Sequence, residues 1–243
     1  MERNIIEIFS SIQGEGKYVG YRQVFVRFEG CNLQCQYCDT ENVPGGHPFC
    51  QLEAAAGARE FLPVKNPLSV EDAAGKILPM LRAVPHQAVS FTGGEPLLQS
   101  DFIAALAPLL PVKIFLETNG TLTERLRDII DFVDIISMDI KLPGITGEAL
   151  WKEHKAFMEI ARQKELYLKL VVSAETTDDE LQQAFGLIAA VDPSLPLIIQ
   201  PVTPFGGCQA ASPGRILRCQ EMALEKLQDV RVIPQTHKSI GQF

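Results

Sequence analysis

Three of the chain's six cysteines, Cys31, Cys35 and Cys38, stand close together in the stretch "EGCNLQCQYCDTEN". Clustered thiolates hold iron–sulfur clusters or zinc. Three thiolates on a cubane of four irons would leave one iron free to bind another molecule. A structural zinc ion would need a fourth Cys or His, and His47 and Cys50 are near enough in the chain to be considered. The spacing therefore predicts a metal site of one of these two kinds.

Two further short loops combine glycine with polar side chains. "GGEP" occupies residues 93–96, and "TNG" occupies residues 118–120. Taken alone, GGEP is typical of a tight turn, but a glycine also lets a ligand approach the backbone closely because it has no Cβ. Both loops directly follow apolar runs, so the elements that precede them decide whether they meet the cysteines.

Those elements alternate between strand and helix signals. Seven short apolar runs read as strands, at residues 22–28, 87–91, 112–117, 133–139, 166–172, 195–200 and 230–234. Helical patterns separate them, including one from residue 70 that Ser69 caps and Pro79 should bend or interrupt, and a long one at 146–163. Apolar strands separated by helices predict a parallel α/β sheet, either open and doubly wound or an incomplete barrel. In both, the loops after the strands meet at one edge.

The chain has room for one large domain or two small ones, and we expect a single domain over residues 1–243. Residues 41–66 separate the cysteine loop from the first long helix. Their composition suggests an insertion with a short helix of its own, either a lid or a dimer contact.

Composition excludes some classes of function. The net charge of −8 argues against broad nucleic-acid or anionic-membrane binding, which needs a basic face. No stretch approaches the roughly 18 apolar residues of a membrane span, and the N-terminus lacks a signal-peptide core. We therefore expect a cytoplasmic enzyme. Thiols stay reduced in the cytoplasm, so clustered cysteines there bind metal or do redox chemistry.

The pattern C-x3-C-x-aromatic-C, completed by Tyr37, resembles the radical S-adenosylmethionine (SAM) superfamily, as does GGEP after the next strand. Within it, nearly the whole chain resembles the 7-carboxy-7-deazaguanine synthase family of 7-deazapurine (queuosine) biosynthesis. The matching stretches are "SIQGEGKYVGYRQVFVRFEGCN", "CDT", "FTGGEPLLQ", "ETNGT", "LIIQPVT" and "PQTHK". Residues 41–66 match least.

This resemblance implies a partial parallel β/α barrel and a carbon–nitrogen lyase. The reaction would contract 6-carboxy-5,6,7,8-tetrahydropterin to 7-carboxy-7-deazaguanine with loss of ammonia. The implied cofactors are a [4Fe–4S] cluster held by the three cysteines, SAM chelated by the free iron, and Mg²⁺. In that superfamily, reductive cleavage of SAM gives a 5′-deoxyadenosyl radical, which would abstract hydrogen from the substrate.

The resemblance also implies contacts for SAM. Tyr37 would pack beside the cluster and the adenine, and the backbone of the GGEP loop would meet the methionine amino group. The remaining contacts are expected at the ends of later strands. The implied SAM residues are Tyr37, Gly94, Glu95, Ser137, Met138, Asp139, Gln200, Pro201, Val202 and Thr203. Asp139 and Lys141 could equally form a local ion pair, and Glu117 could contact SAM or serve as a structural hydrogen-bonding group.

A third set of residues is implied for the pterin and the metal. Arg27 would bind the substrate carboxylate, since its guanidinium forms bidentate pairs, although an edge-strand surface residue is the alternative. The Thr40 hydroxyl would bind Mg²⁺, a hard ion that prefers oxygen, unless it only caps the loop. The other implied substrate residues are Ile12, Gln13, Gly14, Thr92, His237 and Phe243.

Two other functions fit parts of the pattern. A glycyl-radical activase would share the cysteines and GGEP but act on a protein, and a zinc- or cluster-binding scaffold would not be an enzyme. The Q-G-E-G opening and the threonine of "CDT" count against the first, and GGEP counts against the second. The family also implies an electron donor such as flavodoxin and a homodimer, because partial barrels leave open edges.

Overall fold

A computed structural model describes residues 1–38, 40 and 45–242. Within these ranges the strands are β1 (Glu2–Arg3), β2 (Ile5–Ile12), β3 (Arg22–Phe28), β4 (Phe49–Glu53), β5 (Phe61–Lys65), β6 (Leu68–Ser69), β7 (Ala88–Gly93), β8 (Lys113–Thr118), β9 (Ile135–Asp139), β10 (Glu165–Val172), β11 (Leu197–Pro201) and β12 (Val230–Val232). The helices are α1 (Val70–Ala83), α2 (Ser100–Leu106), α3 (Thr123–Ile129), α4 (Pro143–Thr146), α5 (Trp151–Ala161), α6 (Asp178–Val191), α7 (Pro213–Leu224) and α8 (Thr236–Ser239).

Ten of these strands form one sheet in the order β12-β11-β10-β9-β8-β7-β3-β2-β4-β5. Every neighbouring pair from β3 to β12 is parallel, whereas β2 runs antiparallel to β3. The strands at the two ends of this order, β12 and β5, do not pair with each other in the described residues. The prediction of an incomplete parallel barrel is therefore confirmed.

The two faces of the sheet differ because successive side chains of a strand point to opposite sides. On one face, residues such as Val24, Val26 and Phe28 of β3 join the large core shared with the helices. On the other face, a smaller cluster includes Phe115 and Tyr167, whose rings are 6.3 Å apart. These rings fill part of the barrel interior. The space that remains for a ligand lies toward the carboxyl ends of the strands, where the inward-facing side chains are polar.

The seven predicted parallel strands are all present, with bounds that differ by a few residues. The helix expected at about 146–163 is present as α5 but begins later, at Trp151. The short helix α4 ends before Gly147, whose φ of +77° is left-handed. Glycine adopts this conformation without a Cβ penalty and so ends the helix there.

At α1, the predicted Ser69 cap is confirmed, since its hydroxyl accepts a hydrogen bond from the backbone N–H of Asp72 at 3.0 Å. The predicted interruption at Pro79 is wrong, because the helix continues through it to Ala83. Proline removes one backbone donor, and the rest of this amphipathic helix, including the buried Ile77, keeps the segment in place.

The stretch 41–66 contains a hairpin where a short helix was expected. In its described part, β4 and β5 pair antiparallel, and β4 adds to the main sheet beside β2. The helix expectation is therefore wrong for residues 45–66. Pro63 lies on the outermost strand, where a missing backbone donor is tolerated. β2, which precedes the first predicted strand, was also not anticipated.

Candidate active site

A cavity that is partly open to solvent lies at the carboxyl ends of the parallel strands. Each of the strands β3, β7, β8, β9, β10 and β11 contributes at least one inward-facing residue near its end. These residues are Arg27, Thr92, Glu117, Ser137, Asp139, Lys169 and Gln200. The parallel sheet thus gathers residues far apart in the chain around one space, as expected for loops after parallel strands.

Cys31, Cys35 and Cys38 all line this cavity, and none forms a disulfide. The backbone N–H of Leu33 lies 3.4 Å from the Cys31 sulfur, and the Asn119 amide nitrogen lies 3.9 Å from it. Such donors stabilise a thiolate. No three His, Cys, Asp or Glu side chains in the described ranges are grouped tightly enough to hold a single metal ion. Three thiols that share one cavity without a disulfide, one of them near two amide donors, fit an iron–sulfur cluster.

The GGEP turn is joined to the start of the cysteine loop. A Cβ at Gly94 would lie 2.0 Å from the carbonyl oxygen of Gly30 and 3.0 Å from the Cβ of Cys31, so only glycine fits there. The backbone N–H of Glu95 donates to the same carbonyl at 2.8 Å. Gly94 therefore borders both the cavity and the cysteine loop.

The Glu95 side chain points away from the cavity and supports the turn. Its carboxylate accepts hydrogen bonds from the backbone N–H of Leu97 (3.0 Å), the Thr118 hydroxyl (2.8 Å) and the backbone N–H of Asn119 (2.7 Å). Burial raises its pKa to about 7, against these three donors. Glu95, which was predicted to contact SAM, therefore supports the turn with its side chain. Only its backbone faces the cysteine loop.

β9 and β11 place alternate residues at the cavity. Ser137 and Asp139 line it, whereas Met138 is fully buried on the other face, where its side chain packs beneath Gly120. On β11 and the loop after it, Gln200, Val202 and Thr203 line the cavity and Pro201 does not. The two-residue repeat of a strand explains both patterns, so Met138 and Pro201 could reach a ligand only through their backbone.

Gln200 carries an unused acceptor. Its side chain is nearly buried, and its Oε1 accepts no hydrogen bond from the described residues. Tyr37 packs in a small cluster with Val171 and Val202 nearby, and its ring lies 5.2 Å from the Lys141 ammonium. A ligand with an N–H or O–H donor could bond to Gln200 Oε1, and a planar face on the same ligand could pack against the Tyr37 cluster.

A chain of buried charges crosses the cavity wall. Lys169 on β10 pairs with Glu15 of the Q-G-E-G loop and lies 3.3 Å from Asp139. Asp139 also pairs with Lys141 at 2.7 Å, and the Lys141 ammonium is 3.3 Å from the Tyr37 hydroxyl. Positive and negative groups alternate, so each buried charge has an opposite partner.

These pairs control the ionisation of their members. Burial raises the pKa of Glu15, but the Lys169 ammonium outweighs burial and lowers that pKa to about 2. Burial also opposes the charge on Lys169, yet Asp139 and Glu15 raise its pKa well above the ordinary value. Asp139 has a lowered pKa because Lys141 and Lys169 outweigh its burial. The local ion pair considered for Asp139 and Lys141 is thus present as part of a longer chain.

Arg27 lines the opposite side of the cavity. It lies on β3, between β2 and β7, so the edge-strand alternative is wrong. Its Nε donates to Glu7 at 2.5 Å. Next to it, the Thr92 hydroxyl donates to Glu117 Oε2 at 2.7 Å. This side of the cavity therefore combines a guanidinium with a carboxylate and a hydroxyl.

Ile12, Gln13 and Gly14 lie behind this wall and do not line the cavity. The Gln13 amide donates to Glu117 at 2.7 Å and to Gln23 at 3.1 Å, so its two donors are used within the protein. Gly14 packs against His237, and its carbonyl accepts a hydrogen bond from the backbone N–H of Thr236 at 2.8 Å. The segment thus shapes the pocket from behind.

Two predicted residues lie at the limits of the described chain. Thr40 lines the cavity beside the cysteines, and its carbonyl lies 3.6 Å from the Cys38 sulfur. Phe243, predicted as a substrate residue, lies outside the described residues.

Sequence reasoning overlooked Glu15, Asn119, Lys169 and Lys238, which all line the cavity. A signal was available for Lys169, because it is charged within the apolar run "LYLKLVV", just as Arg27 is within "RQVFVRF". Glu15 and Asn119 lie in the Q-G-E-G and T-N-G motifs, but no physical feature of the sequence distinguishes these side chains from their neighbours.

Comparison with known proteins places this site in a family. The model of the radical SAM superfamily matches residues 25–188. The 7-carboxy-7-deazaguanine synthase of Geobacter sulfurreducens is 45% identical over 244 residues, which cover 98% of this chain and 96% of that protein. The chain belongs to the 7-carboxy-7-deazaguanine synthase family of the radical SAM superfamily. A second member, from Archaeoglobus fulgidus, is 38% identical over 99% of both chains.

The solved structures agree at the level of the fold. QueE from Escherichia coli superposes with a TM-score of 0.63 and 20% identity, over 98% of this chain and 95% of that one. Superfamily membership implies a [4Fe–4S] cluster and SAM as cofactors. In the described ranges no helix is both long and apolar enough to span a bilayer.

Proposed function

We propose that this protein is a 7-carboxy-7-deazaguanine synthase, a radical SAM lyase that converts 6-carboxy-5,6,7,8-tetrahydropterin to 7-carboxy-7-deazaguanine with release of ammonia. One observation carries this proposal: the three thiols and the Arg27 guanidinium line the same cavity, in a chain that is 45% identical to such a synthase along almost its whole length.

Cys31, Cys35 and Cys38 would hold the [4Fe–4S] cluster. When bound, the cluster supplies the electron for reductive cleavage of SAM, which leads to hydrogen abstraction. The residues of the chain shape the space around it. Gly94 keeps the backbone close to the cysteine loop, and the amides of Leu33 and Asn119 stabilise the charge on the Cys31 sulfur.

The SAM side of the cavity is assigned to β9 and β11. Gln200 offers its unpaired amide oxygen to a hydroxyl or amine of the nucleoside, and Tyr37 with Val202 offers apolar contact to a planar base. Ser137, Asp139 and Thr203 supply further polar groups at the same edge. Met138 and Pro201 are assigned only backbone contacts, since their side chains lie away from the cavity.

The pterin side is assigned to Arg27, Thr92 and Glu117. The guanidinium would pair with the substrate carboxylate, and its pairing with Glu7 through Nε leaves the rest of the planar fork to face the cavity. Ile12, Gln13, Gly14 and His237 would act from behind by holding these groups and the C-terminal segment in place.

Thr40 is proposed as the protein ligand of Mg²⁺. The support is its position on the cavity wall beside the cysteines and the affinity of Mg²⁺ for hard oxygen donors. Mg²⁺ usually keeps several waters and takes few protein ligands, so one hydroxyl with substrate and water completes a suitable set.

Further assignments concern the setting of the enzyme. We infer a single domain, because the β4–β5 hairpin extends the same sheet, and a homodimer that covers an open sheet edge. We also infer a flavodoxin-like electron donor. Cysteines that form no disulfide fit a reducing compartment such as the cytoplasm.

The decisive experiment is anaerobic turnover of the carboxypterin with mass spectrometry of the product. We expect 7-carboxy-7-deazaguanine and ammonia in equal amounts. Cys31→Ala, Cys35→Ala and Cys38→Ala should each lose iron and SAM cleavage. Cys50→Ala and Cys219→Ala, which alter buried thiols outside the cavity, should keep both. Iron loss from Cys50→Ala with retention in Cys35→Ala would overturn the cluster assignment, and a different product would overturn the reaction.

A further inference from the structure

The turn of the β4–β5 hairpin, residues 54–60, contacts the C-terminal segment, residues 235–242. The guanidinium of Arg59 donates a hydrogen bond through Nη1 to the carbonyl oxygen of Gly241 at 2.7 Å. These two residues are far apart in the chain, and the hairpin belongs to the stretch that resembles the family least. The contact therefore links that stretch to the C-terminal segment.

The backbone holds Arg59 in an unusual conformation. Its φ is +59°, and within the described ranges no other residue except glycine has a positive φ. Side chains other than Gly, Asn and Asp rarely occupy this left-handed region, so its use by arginine points to a functional constraint.

A buried carboxylate anchors the turn to the barrel. Glu53 is 3% exposed and accepts hydrogen bonds from the backbone N–H of Arg59 and from that of Ser10 on β2, each at 2.9 Å. Because Glu53 joins the turn to a strand of the main sheet, Arg59 projects from a fixed base.

The C-terminal segment borders the substrate side of the cavity. Gln235 and Lys238 line it, and Gln235 donates to Glu15 at 2.7 Å. The backbone N–H of Thr236 donates to the Gly14 carbonyl at 2.8 Å, and that of Gln242 donates to the His237 carbonyl at 2.9 Å. A shift of this segment would therefore move the cavity wall beside the Q-G-E-G loop.

We propose that Arg59 is a positioning residue for the pterin side of the cavity. It acts through Gly241, by holding residues 235–242 against the Q-G-E-G loop, and it does not line the cavity itself. In this proposal the hairpin turn is a clamp, in the sense that it holds residues 235–242 in place through the hydrogen bond from Arg59 to Gly241. The expected effect on carboxypterin turnover rests on the proposed function, whereas the hydrogen bond between Arg59 and Gly241 does not depend on it.

Two substitutions separate the guanidinium from the backbone conformation. Arg59→Asn tolerates the left-handed backbone, and Arg59→Gly relieves it, but neither reaches Gly241. Both should raise the KM for the carboxypterin about tenfold, since a charged hydrogen bond is lost. SAM cleavage without pterin should stay unchanged. Arg59→Lys keeps a cationic donor of similar length and should recover part of the affinity. Arg218→Asn, an exposed arginine on α7, is the control.

Amide hydrogen exchange gives a readout that does not need turnover. In Arg59→Asn the amides of residues 236–242 should exchange faster than in the parent, while those of β8 and β9 should not change. Unchanged exchange at residues 236–242 would overturn the clamp. Faster exchange with an unchanged KM would overturn the positioning role.

The two proposals fail in different ways. If the parent enzyme does not convert the carboxypterin, the proposed function fails, and hydrogen exchange still decides whether Arg59 holds the C-terminal segment. If Arg59→Gly keeps the parent KM while Arg59→Asn does not, the backbone conformation rather than the guanidinium is responsible, which would also overturn the proposal.

Discussion

Lys169 is the residue through which the two sides of the cavity are joined. Its ammonium lies between Glu15, which faces the C-terminal segment, and Asp139, which faces Tyr37 and Lys141. Lys141 and Lys169 are buried, and the side chains of Glu15 and Asp139 are only 21% and 19% exposed, so each charge depends on its partner for compensation of lost hydration. A substitution of Lys169 should therefore affect the binding of both SAM and the carboxypterin.

Lys169→Met keeps the length of the side chain and removes its charge. We expect the free energy of unfolding to fall by about 3–5 kcal/mol, because two buried carboxylates lose a partner. Urea unfolding of the metal-free protein measures this change. Lys155→Met, on the exposed face of α5, should stay within about 0.5 kcal/mol of the parent.

The double variant Lys169→Met/Glu15→Gln tests the pairing directly. If the two groups are coupled, removal of both charges should cost less than the sum of the two single substitutions. Additive losses would mean that Lys169 stabilises the protein through packing rather than through Glu15.

Thr40 is a second prediction at the scale of a single residue. Thr40→Val keeps the shape and deletes the oxygen, so iron content and SAM binding should match the parent. The carboxypterin affinity should lose most of its dependence on added Mg²⁺, and Thr40→Ser should keep part of it. A parent-like Mg²⁺ response in Thr40→Val would mean that the metal binds elsewhere.

At the scale of elements, the cysteine loop depends on the turn after β7. Gly94 touches Gly30 and Cys31 too closely for any side chain, and Glu95 ties the same turn to the end of β8. The loop that carries the thiols is therefore positioned by backbone contacts as well as by its own sequence.

Gly94→Ala should displace the cysteine loop and lower the iron content after anaerobic reconstitution. The clash involves backbone atoms, which cannot rotate away. Gly75→Ala on α1 is the matched control, since a Cβ there meets nothing within 4 Å. It should bind iron normally and raise the free energy of unfolding by up to about 1 kcal/mol. Full iron binding by Gly94→Ala would refute this account of the turn.

At the scale of the whole molecule, the buried charges make stability depend on pH. Glu15 has a pKa of about 2 in the folded protein and an ordinary value of 4.5. A carboxylate with a lowered pKa contributes stability that is complete above its ordinary pKa and is lost as the pH falls toward the folded value. The relevant window for Glu15 is therefore roughly pH 4.5 to 2.

We expect acidification through that window to remove about 3 kcal/mol of stability through Glu15. Glu15→Gln should be less stable than the parent at pH 7 and should lose less stability between pH 5 and pH 3. Urea midpoints across that range measure the difference. Parallel pH profiles of the two proteins would contradict the lowered pKa.

The sequence by itself determined the class of the fold and predicted the ligands of the cluster. Apolar runs separated by amphipathic helices predict parallel strands, because strands that are covered on both faces are almost continuously apolar. The three cysteines are close together in the chain, so their shared role needed no long-range information. The same holds for the GGEP turn, whose glycines have a local conformational reason.

Only the tertiary structure decided which side chains face the cavity. Met138 and Ser137 are neighbours in sequence, yet the strand alternation and its register send them to opposite faces of the sheet. Glu15, Lys169 and Asp139 lie on separate segments, and their pairing exists only because the sheet places β9 beside β10 and the Q-G-E-G loop above them. The clamp of Arg59 on Gly241 likewise joins distant segments. Sequence patterns report local burial and turns, whereas contacts between distant polar groups depend on register and packing, which only the folded chain sets.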